Sequence, residues 1–477
     1  MANLNEYTIV EAAKRLRAHE FSVQELWDAC SAASNAHNQE LNAFLELFPA
    51  DDTAIAAAQK RIDTEGDAAP LLCGIPLAMK DNILIEGKVA SAGSKMLQNY
   101  RATYDATVVQ KLKDVGALFL GRTNMDEFAM GSSTEHSAYG TTKNPHDTTR
   151  VPGGSSGGSA AATAAHLAIA ALGSDTGGSI RQPAAHTGIV GLKPTYGAVS
   201  RSGLIALGSS LDQIGPLTKT VEDARILYEA IRGRDPLDAT SIPEHLYPTH
   251  DAKKHLRIGI PRHLLTDGID TDVLMAFDRT LQQLTDAGHT VVDVQLPMSS
   301  YALAAYYIVM PAEVSTNLGR LDGMRYGLAK RGETLLEDYV LSRTSGFGEE
   351  TRRRILLGTF VLSSGYIDAY YRKADAAREV LRREYDDAFQ TVDVIAFPTT
   401  PSPAFKVGEK TDPLAMYLED IFTVTADLTG MPALSVPMGV VERDGKQLPI
   451  GIHFTSPHQT EHILFEIGNA VEKIHNS

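Results

Sequence analysis

The chain has 477 residues, of which 43% are hydrophobic and 22% are charged, enough for a large buried core. Its 44 Lys and Arg against 59 Asp and Glu give a net charge of −15. Such a chain is a poor candidate for binding nucleic acid by itself, because phosphate contacts need clustered basic side chains. The two cysteines, Cys30 and Cys73, give neither a disulfide framework nor a metal motif. The histidines show no HExxH or paired-ligand pattern, so no metal is expected.

The sequence shows no targeting or membrane segment. The first residues carry neither a signal peptide nor an Arg-rich presequence. No apolar run reaches the roughly 18 residues that a membrane span needs without a charge or a glycine. We therefore expect a cytoplasmic protein that does not contact membranes.

The N-terminal region, residues 1–65, is predicted to be helical. Thr8 and Glu11, and again Ser22 and Glu25, have the spacing of a capping box. In that motif the two side chains reciprocally satisfy free N–H groups at the start of a helix. Each pair therefore predicts a helix N-terminus.

Strands and helices then alternate along the chain. This order predicts an α/β protein whose sheet is covered by helices on both faces. Residues 348–389 are expected to be mostly helical, 392–397 form an apolar run, and 236–254 form a polar surface loop. The other predicted elements are strands over 75–79, 117–120, 256–260, 289–296, 433–440 and 448–454, and helices over 105–115, 270–287 and 461–474.

Two loops rich in glycine and serine, residues 151–159 and 173–183, carry the most chemical information. Glycine lets backbone N–H groups converge on one ligand atom, and a serine at the end of such a loop can act as a nucleophile. Between them lies the helix-prone run 160–172. A flexible linker is the alternative, but it does not explain the ordered-looking segment 188–194 that follows.

A serine nucleophile needs a base, and a lysine is the candidate here. The sequence shows neither a histidine in a triad context nor a Gly-x-Ser-x-Gly motif. The apolar run 72–79 leads to Lys80, and a buried lysine can lose roughly 3–5 units from its usual pKa. The alternative is an ordinary lysine at a strand end that pairs with Asp81.

These three segments together resemble the amidase signature family, whose members use a Ser–cis-Ser–Lys triad. The resemblance implies that Lys80 is the base, Ser155 the bridging serine and Ser179 the nucleophile. It also implies a cis peptide bond between Gly154 and Ser155. The oxyanion hole would be formed by backbone N–H groups of four consecutive residues, Thr176, Gly177, Gly178 and Ser179.

The same resemblance implies one large domain over residues 1–477, with a mixed central β-sheet between helices. Within it, residues 66–230 would hold the signature core. Residues 231–477 would complete the α/β fold and carry substrate-recognition residues.

Later motifs narrow the resemblance to the A subunits of aspartyl/glutamyl-tRNA amidotransferases. They lie at residues 124–133, 209–217, 353–360, 364–371 and 416–423. The sequence departs from this group at His186, Thr187 and Ala198, where an aromatic residue, a cysteine and an arginine are usual.

This resemblance implies that the chain hydrolyses glutamine and supplies ammonia to a B subunit, with a small C subunit as a further partner. The B subunit would amidate Glu-tRNA(Gln), or Asp-tRNA(Asn), and would hold most of the tRNA. No GxxxxGK[ST] motif occurs here, so no cofactor is expected in this chain, and ATP and Mg²⁺ are expected on the B subunit.

Recognition of glutamine as an amino acid requires groups for its two charged ends. The resemblance implies Arg353 for the α-carboxylate, where bidentate pairing is the physical reason, and Asp420 for the α-ammonium. The alternative for each is a charge on a helix surface. A solvated helix face is also the first interpretation of the basic runs 352–354 and 382–383. Tyr306 and Tyr307 would line the pocket, unless they belong to the core.

Two other functions compete with the glutaminase. A free-standing amidase for small amides would share the triad, so the serine motifs cannot separate it from the amidotransferase component. A catalytically inactive scaffold that only binds partners is disfavoured by the complete set of Lys80, Ser155 and Ser179.

Overall fold

The computed structural model describes residues 3–248, 254–266 and 268–475. An eleven-stranded sheet runs through these residues in the order β1-β3-β2-β4-β6-β5-β10-β11-β9-β7-β8. The strands are β1 Phe44–Leu47, β2 Pro76–Lys80, β3 Leu118–Thr123, β4 Ala170–Asp175, β5 Val190–Lys193, β6 Gln213–Thr218, β7 Arg257–Ile260, β8 Thr290–Asp293, β9 Val394–Pro398, β10 Ala433–Arg443 and β11 Lys446–Thr455.

The sheet is mixed. Strand β2 is parallel to β3 and β4, and β7 is parallel to β8 and β9, whereas β10 and β11 form an antiparallel hairpin. Helices flank this sheet, as expected for the α/β fold. They are α1 Ile9–Arg17, α2 Val23–Leu41, α3 Asp52–Glu65, α4 Thr107–Asp114, α5 Gly157–Ala164, α6 Arg181–Thr187, α7 Val221–Ile231, α8 Thr271–Asp286, α9 Ala302–Asn317, α10 Leu335–Gly346, α11 Glu349–Val361, α12 Tyr371–Ala388, α13 Pro413–Tyr417, α14 Val424–Thr429 and α15 Glu461–His475.

Both predicted capping boxes are present. The Thr8 hydroxyl accepts from the Glu11 N–H while the Glu11 carboxylate accepts from the Thr8 N–H, at the start of α1. Ser22 and Glu25 make the same reciprocal pair at the start of α2. Each helix therefore begins where the sequence predicted.

The prediction of one helix over residues 160–172 was wrong in its second half. Helix α5 ends at Ala164, and residues 170–175 form β4, a fully buried strand between β2 and β6. A short apolar run can be a buried strand or a buried helix, and hydrophobic periodicity alone does not separate the two.

The N-terminal region is not entirely helical, because residues 44–47 form the edge strand β1, antiparallel to β3. In the expected loop 236–254, residues 249–253 lie outside the described residues. The rest of that stretch contains a short 3₁₀ turn at Glu244–Leu246. Among the described helices, none is both long and apolar enough to span a membrane.

A second hydrophobic cluster lies beside the main core of the sheet and its helices. It contains Tyr306 and Met310 of α9, Leu381 of α12 and Phe347 from the segment between α10 and α11. The active site described below takes some of its residues from helices of this cluster and others from the ends of sheet strands. Strands β2 and β4 are parallel neighbours, so their carboxyl ends lie on the same side of the sheet. Lys80 at the end of β2 and the loop after β4 therefore lie close together.

Candidate active site

Lys80 lies fully buried among serine side chains. Its Nζ is 2.8 Å from Ser155 Oγ, 2.7 Å from Ser156 Oγ, and 3.0 Å and 3.2 Å from the hydroxyl and carbonyl oxygens of Ser174. Burial lowers the pKa of Lys80 to about 7, although the carboxylates of the surrounding aspartates favour its charged form. A substantial neutral fraction is therefore present near pH 7, as a lysine base requires.

The alternative in which Lys80 pairs with Asp81 does not fit the structure. Asp81 Oδ1 accepts from Arg122 Nη1 at 2.8 Å, and the other Asp81 oxygen accepts from Gly93 N and Ser91 Oγ. The lysine contacts oxygen atoms of serines instead, which are groups that can exchange protons with it.

The two glycine–serine loops meet at the end of β4. The peptide bond between Gly154 and Ser155 is cis, as the family resemblance implies. Ser156 N donates to Ser179 O at 3.1 Å, which joins the loop that carries Ser155 to the loop that carries Ser179. Ser179 is 8% exposed, whereas Ser155 is fully buried. Ser179 is thus the serine that solvent and substrate can reach.

Residues 176–179 form a loop that two buried carboxylates hold. Asp212 Oδ1 accepts from Thr176 Oγ1 at 2.7 Å, and Asp175 Oδ1 accepts from Gly178 N at 2.7 Å. No hydrogen bond within the described part of the chain uses the N–H of Thr176, Gly177 or Ser179. The expected oxyanion hole therefore needs one correction, because the Gly178 N–H is already engaged by Asp175.

The Asp175 carboxylate is itself fixed by Arg181, the residue that begins α6. Arg181 Nε lies 3.0 Å from Asp175 Oδ2, and Nη2 lies 2.9 Å from Oδ1. Burial opposes the ionisation of Asp175, but the Arg181 guanidinium outweighs it and holds the pKa of Asp175 well below its usual range. The acceptor for the Gly178 N–H is therefore a carboxylate in a buried ion pair.

Asp420 lies buried near this loop, with two hydroxyl donors. Ser132 Oγ is 2.9 Å and 3.0 Å from the two carboxylate oxygens, and Tyr307 Oη donates to Oδ2 at 3.0 Å. Burial raises the pKa of Asp420 to about 7, although these hydrogen bonds and the nearby Arg354 charge favour the carboxylate. A ligand ammonium would complete the charge balance and lower that pKa again.

Arg353 and Arg354, neighbours on α11, have different environments. The Arg353 side chain is 41% exposed and pairs with Glu349 and Glu350 near the helix start. The next residue, Arg354, is 4% exposed, and its guanidinium carbon lies 5.3 Å and 5.2 Å from the ring centroids of Tyr307 and Tyr417. One step along a helix rotates a side chain by about 100°, which separates the two environments.

Two residues that the sequence did not point to hold Arg354 in place. Glu350 Oε1 accepts from Arg354 Nε at 2.7 Å and from Tyr417 Oη at 2.9 Å. The Tyr417 ring also stacks on Tyr307, with centroids 3.9 Å apart. A spacing signal for Glu350 exists, because residues i and i+4 share a helix face. Tyr417 reaches the site only through the tertiary fold.

Tyr306 belongs to the second hydrophobic cluster, and Tyr307 packs against it. That these two tyrosines also line a substrate pocket stays a prediction. Their rings meet edge to face at 5.0 Å. Tyr306 covers the loop after β4 so closely that a Cβ on Gly177 would lie 2.5 Å from its hydroxyl. Residue 177 therefore has to be glycine for this tyrosine to stay where it is.

The surroundings of the site contain no obvious metal centre. Among the described residues, no group of three or more His, Cys, Asp or Glu side chains is arranged to hold an ion. Cys30 and Cys73 are both buried and free. His186 is one of the positions where the sequence departs from the group it resembles. It is fully buried, and burial lowers the pKa of its imidazole to about 3.

Comparisons with known proteins identify the family of the chain. The Amidase family model matches residues 25–465. The A subunit of a glutamyl-tRNA(Gln) amidotransferase from Koribacter versatilis is 50% identical over 92% of both chains. The crystal structure of the protein of the same name from Thermotoga maritima has a TM-score of 0.81 and 40% identity, and covers 99% of this chain and 96% of its own. A peptide amidase from Stenotrophomonas maltophilia gives 0.80 and 30%, with 98% and 96% coverage. The chain belongs to the amidase family and, within it, to the group of glutamyl-tRNA(Gln) amidotransferase A subunits.

Proposed function

We propose that this chain is the glutaminase of a tRNA-dependent amidotransferase. It would hydrolyse glutamine to glutamate and supply ammonia to a partner protein that converts Glu-tRNA(Gln) to the amidated form. The observation that carries this proposal is that Tyr307 contacts both Asp420, through its hydroxyl, and Arg354, through its ring, beside a serine–lysine centre. A free amino acid brings the two opposite charges that Asp420 and Arg354 would match.

The first half-reaction uses the contact between Lys80 and Ser155. Neutral Lys80 takes the Ser155 proton while Ser155 takes the proton of Ser179. The Ser179 oxygen then attacks the side-chain amide carbon of glutamine, and the N–H groups of Thr176, Gly177 and Ser179 hold the developing oxyanion. The stored proton passes to the amide nitrogen, the carbon–nitrogen bond breaks, and ammonia leaves.

The second half-reaction returns the enzyme to its starting state. Water gives a proton to the same relay and attacks the glutamyl–Ser179 ester, which releases glutamate and regenerates the Ser179 hydroxyl. Atoms balance as glutamine plus water giving glutamate plus ammonia. Lys80 therefore acts as a base in both halves and as the proton store between attack and departure.

For recognition of the amino acid ends, we propose Arg354 in place of Arg353. Arg354 is buried beside Tyr307 and Tyr417, and Glu350 fixes its orientation through Nε. Its remaining donors suit a carboxylate. Asp420, with Ser132 and Tyr307 as its donors, would pair with the α-ammonium.

For the partner, we propose that the outer face of α11 and the segment after it form a docking surface, which we call the α11 surface. Its exposed apolar side chains are Leu356, Leu357, Phe360, Tyr366 and Tyr370. The ring centroids of Phe360 and Tyr366 lie 4.4 Å apart, so these groups are contiguous. Such patches on a soluble enzyme commonly mark protein interfaces. This one lies on the helix whose inner face carries Arg354.

The remaining parts of the reaction belong to partners in this proposal. A B subunit would bind ATP and Mg²⁺, activate the misacylated tRNA and hold the RNA, and a small C subunit would complete a heterotrimer. The net charge of −15 supports placing the tRNA elsewhere.

The test is a glutaminase assay on the assembled complex with matched arginine variants. Arg354→Ala should lower kcat/KM for glutamine by roughly 30-fold or more, the usual cost of stranding one member of a buried charge pair. Arg353→Ala, one residue away and exposed, is the control and should stay within about threefold of the wild type. Equal losses in the two variants would contradict the assignment of Arg354.

Ser179→Ala separates the glutaminase from the transfer reaction. The variant should lose ammonia release from glutamine, yet ammonium salts should still support tRNA amidation in the complex. An efficient hydrolysis of simple amides by the isolated chain, with no response to partners or glutamine, would instead favour the free-standing amidase.

A further inference from the structure

Thr423 connects the segment that carries Asp420 to the loop that carries Ser179. Its side chain is fully buried, and Oγ1 donates to Gly177 O at 2.6 Å and lies 3.1 Å from Asp420 O. Thr423 N also donates to Asp420 O at 3.0 Å. One residue thus contacts the backbone of both segments.

The peptide unit between residues 177 and 178 is held at both ends. Its carbonyl oxygen accepts from the Thr423 hydroxyl, and its N–H donates to Asp175 Oδ1 at 2.7 Å. A peptide unit is planar, so fixing its two polar ends fixes its rotation. The N–H groups of Gly177 and Ser179 lie on the adjoining peptide units, and their direction follows from this rotation.

Packing leaves Thr423 no freedom to move away from the loop. A Cβ on Gly178 would lie 2.3 Å from Thr423 Oγ1, so the threonine sits directly on the glycine backbone. Gly178 has φ +134°, a conformation that favours glycine. The Thr423 carbonyl also accepts from Arg181 Nη1 at 2.9 Å, and Arg181 holds Asp175. The two clamps on the peptide unit are therefore joined behind it.

We infer that Thr423 is a positioning residue that couples binding of an α-ammonium group at Asp420 to the geometry of the oxyanion loop. The inference rests on the proposed function for its substrate class, amino acid amides. An ammonium bound at Asp420 would hold residues 420–423 more firmly, and with them the contact of the Thr423 hydroxyl with Gly177. The loop would therefore be best ordered for a substrate that carries this charge.

The test compares Thr423→Val, which keeps the shape and removes the hydroxyl, with Thr423→Ser, which keeps the hydroxyl. Removing an oxyanion donor outright costs about 100- to 1000-fold in kcat. For a residue that orients such donors, we expect Thr423→Val to lower kcat for glutamine about 10- to 100-fold with KM changed less than about threefold. Thr423→Ser should retain kcat within about threefold. A Val variant with normal kcat, or a Ser variant as impaired as the Val variant, overturns the inference.

The coupling is measured by a double-mutant cycle with Asp420→Asn in kcat/KM for glutamine. If both residues act through one linkage, the double variant should lose clearly less than the product of the two single losses. Losses that multiply overturn the coupling.

Hydrolysis of p-nitrophenyl acetate, with Ser179→Ala as the blank, tests the positioning role without an amino acid substrate. The Val variant should be impaired there and the Ser variant should not. If the wild-type complex fails to hydrolyse glutamine, the proposed function fails, and the ester assay still decides the role of Thr423.

Discussion

Burying Lys80 in an uncharged form has a cost that stability measurements can detect. Its pKa falls from 10.5 to about 7, a difference worth about 5 kcal/mol at about 1.4 kcal/mol per unit. The sign follows from proton binding: between pH 7 and 10.5 the unfolded chain binds the proton more strongly than the folded chain. The penalty is therefore fully present below pH 7 and disappears as the pH rises to 10.5.

Replacement of Lys80 by methionine removes the titrating group and keeps most of the side-chain volume. The lost contacts with Ser155, Ser156 and Ser174 destabilise the variant by an amount that does not depend on the lysine proton. The pH dependence of the stability difference between the two proteins therefore isolates the Lys80 penalty. From pH 7 to pH 9 the wild type should gain about 2 kcal/mol relative to Lys80→Met.

A thermal unfolding series at fixed scan rate measures this gain. For a chain of 477 residues, 1 kcal/mol corresponds to about 1 °C in Tm, so the Tm difference should change by roughly 2 °C between pH 7 and pH 9. Lys60→Met, at an exposed position of α3, is the control for the loss of one lysine. A Tm difference between wild type and Lys80→Met that stays constant over this range would refute the reasoning.

Three further outcomes are expected from the site geometry. First, kcat/KM for glutamine should fall as the pH drops below about 7, because protonated Lys80 is no base, and this acid limb should remain in Asp420→Asn; a flat profile from pH 6 to 8 would contradict it. Second, Gly177→Ala should lower kcat at least about 10-fold, because its Cβ would lie 2.5 Å from the Tyr306 hydroxyl and 2.6 Å from the ring carbon Cζ, and adding Tyr306→Ala, which removes the whole ring, should restore part of the loss; no restoration would point to the loop backbone instead. Third, Ser155→Ala should lower kcat by roughly 100- to 10,000-fold with an unchanged far-UV spectrum, since the relay between Lys80 and Ser179 is broken, and near-normal turnover would exclude that relay.

Local signals predicted the layered α/β class and the segments that carry Lys80 and the serines, whereas the mixed sheet and the triad roles came from the resemblance to the amidase signature family. Lys80 ends an apolar strand, and the two serines lie in glycine-rich loops whose composition is rare elsewhere in the chain. Parallel pairing of β2 with β4 then brings these segments together. The prediction of a helix over 160–172 was wrong for Ala170–Asp175, because this segment is a strand buried between β2 and β6. The hydrophobic pattern of a short apolar segment does not reveal such neighbours.

Helical spacing along α11 distinguishes Arg354 from Arg353. The buried positions of α11 are Glu350, Thr351, Arg354, Gly358 and Val361, a stripe with helical spacing. Only Arg354 falls on that stripe among the three consecutive arginines. Arg354 lies four residues before Gly358 and seven before Val361, and therefore on the same face of the helix.

Contacts between distant segments have no such signal. Ser132 and Asp420 are 288 positions apart, and Glu350 and Tyr417 are 67 apart, so the tertiary fold alone makes them neighbours. Ser156 and Ser174 resemble ordinary loop and strand serines until the position of the Lys80 ammonium group is known. Contacts of this kind depend on sheet order and helix packing, which a single sequence does not specify.

The reactive residues and the proposed recognition residues lie on different structural elements, and this affects how such enzymes can acquire new substrates. Lys80, Ser155 and Ser179 are anchored on the central sheet, whereas Tyr306 and Arg354 lie on helices of a separate hydrophobic cluster. Side chains on α9 and α11 can therefore be exchanged without disturbing the strands that hold the reactive groups. Substitutions on α11 can thus change which amide is recognised while the strands that hold Lys80 stay paired, whereas Tyr306 is constrained by its contact with Gly177.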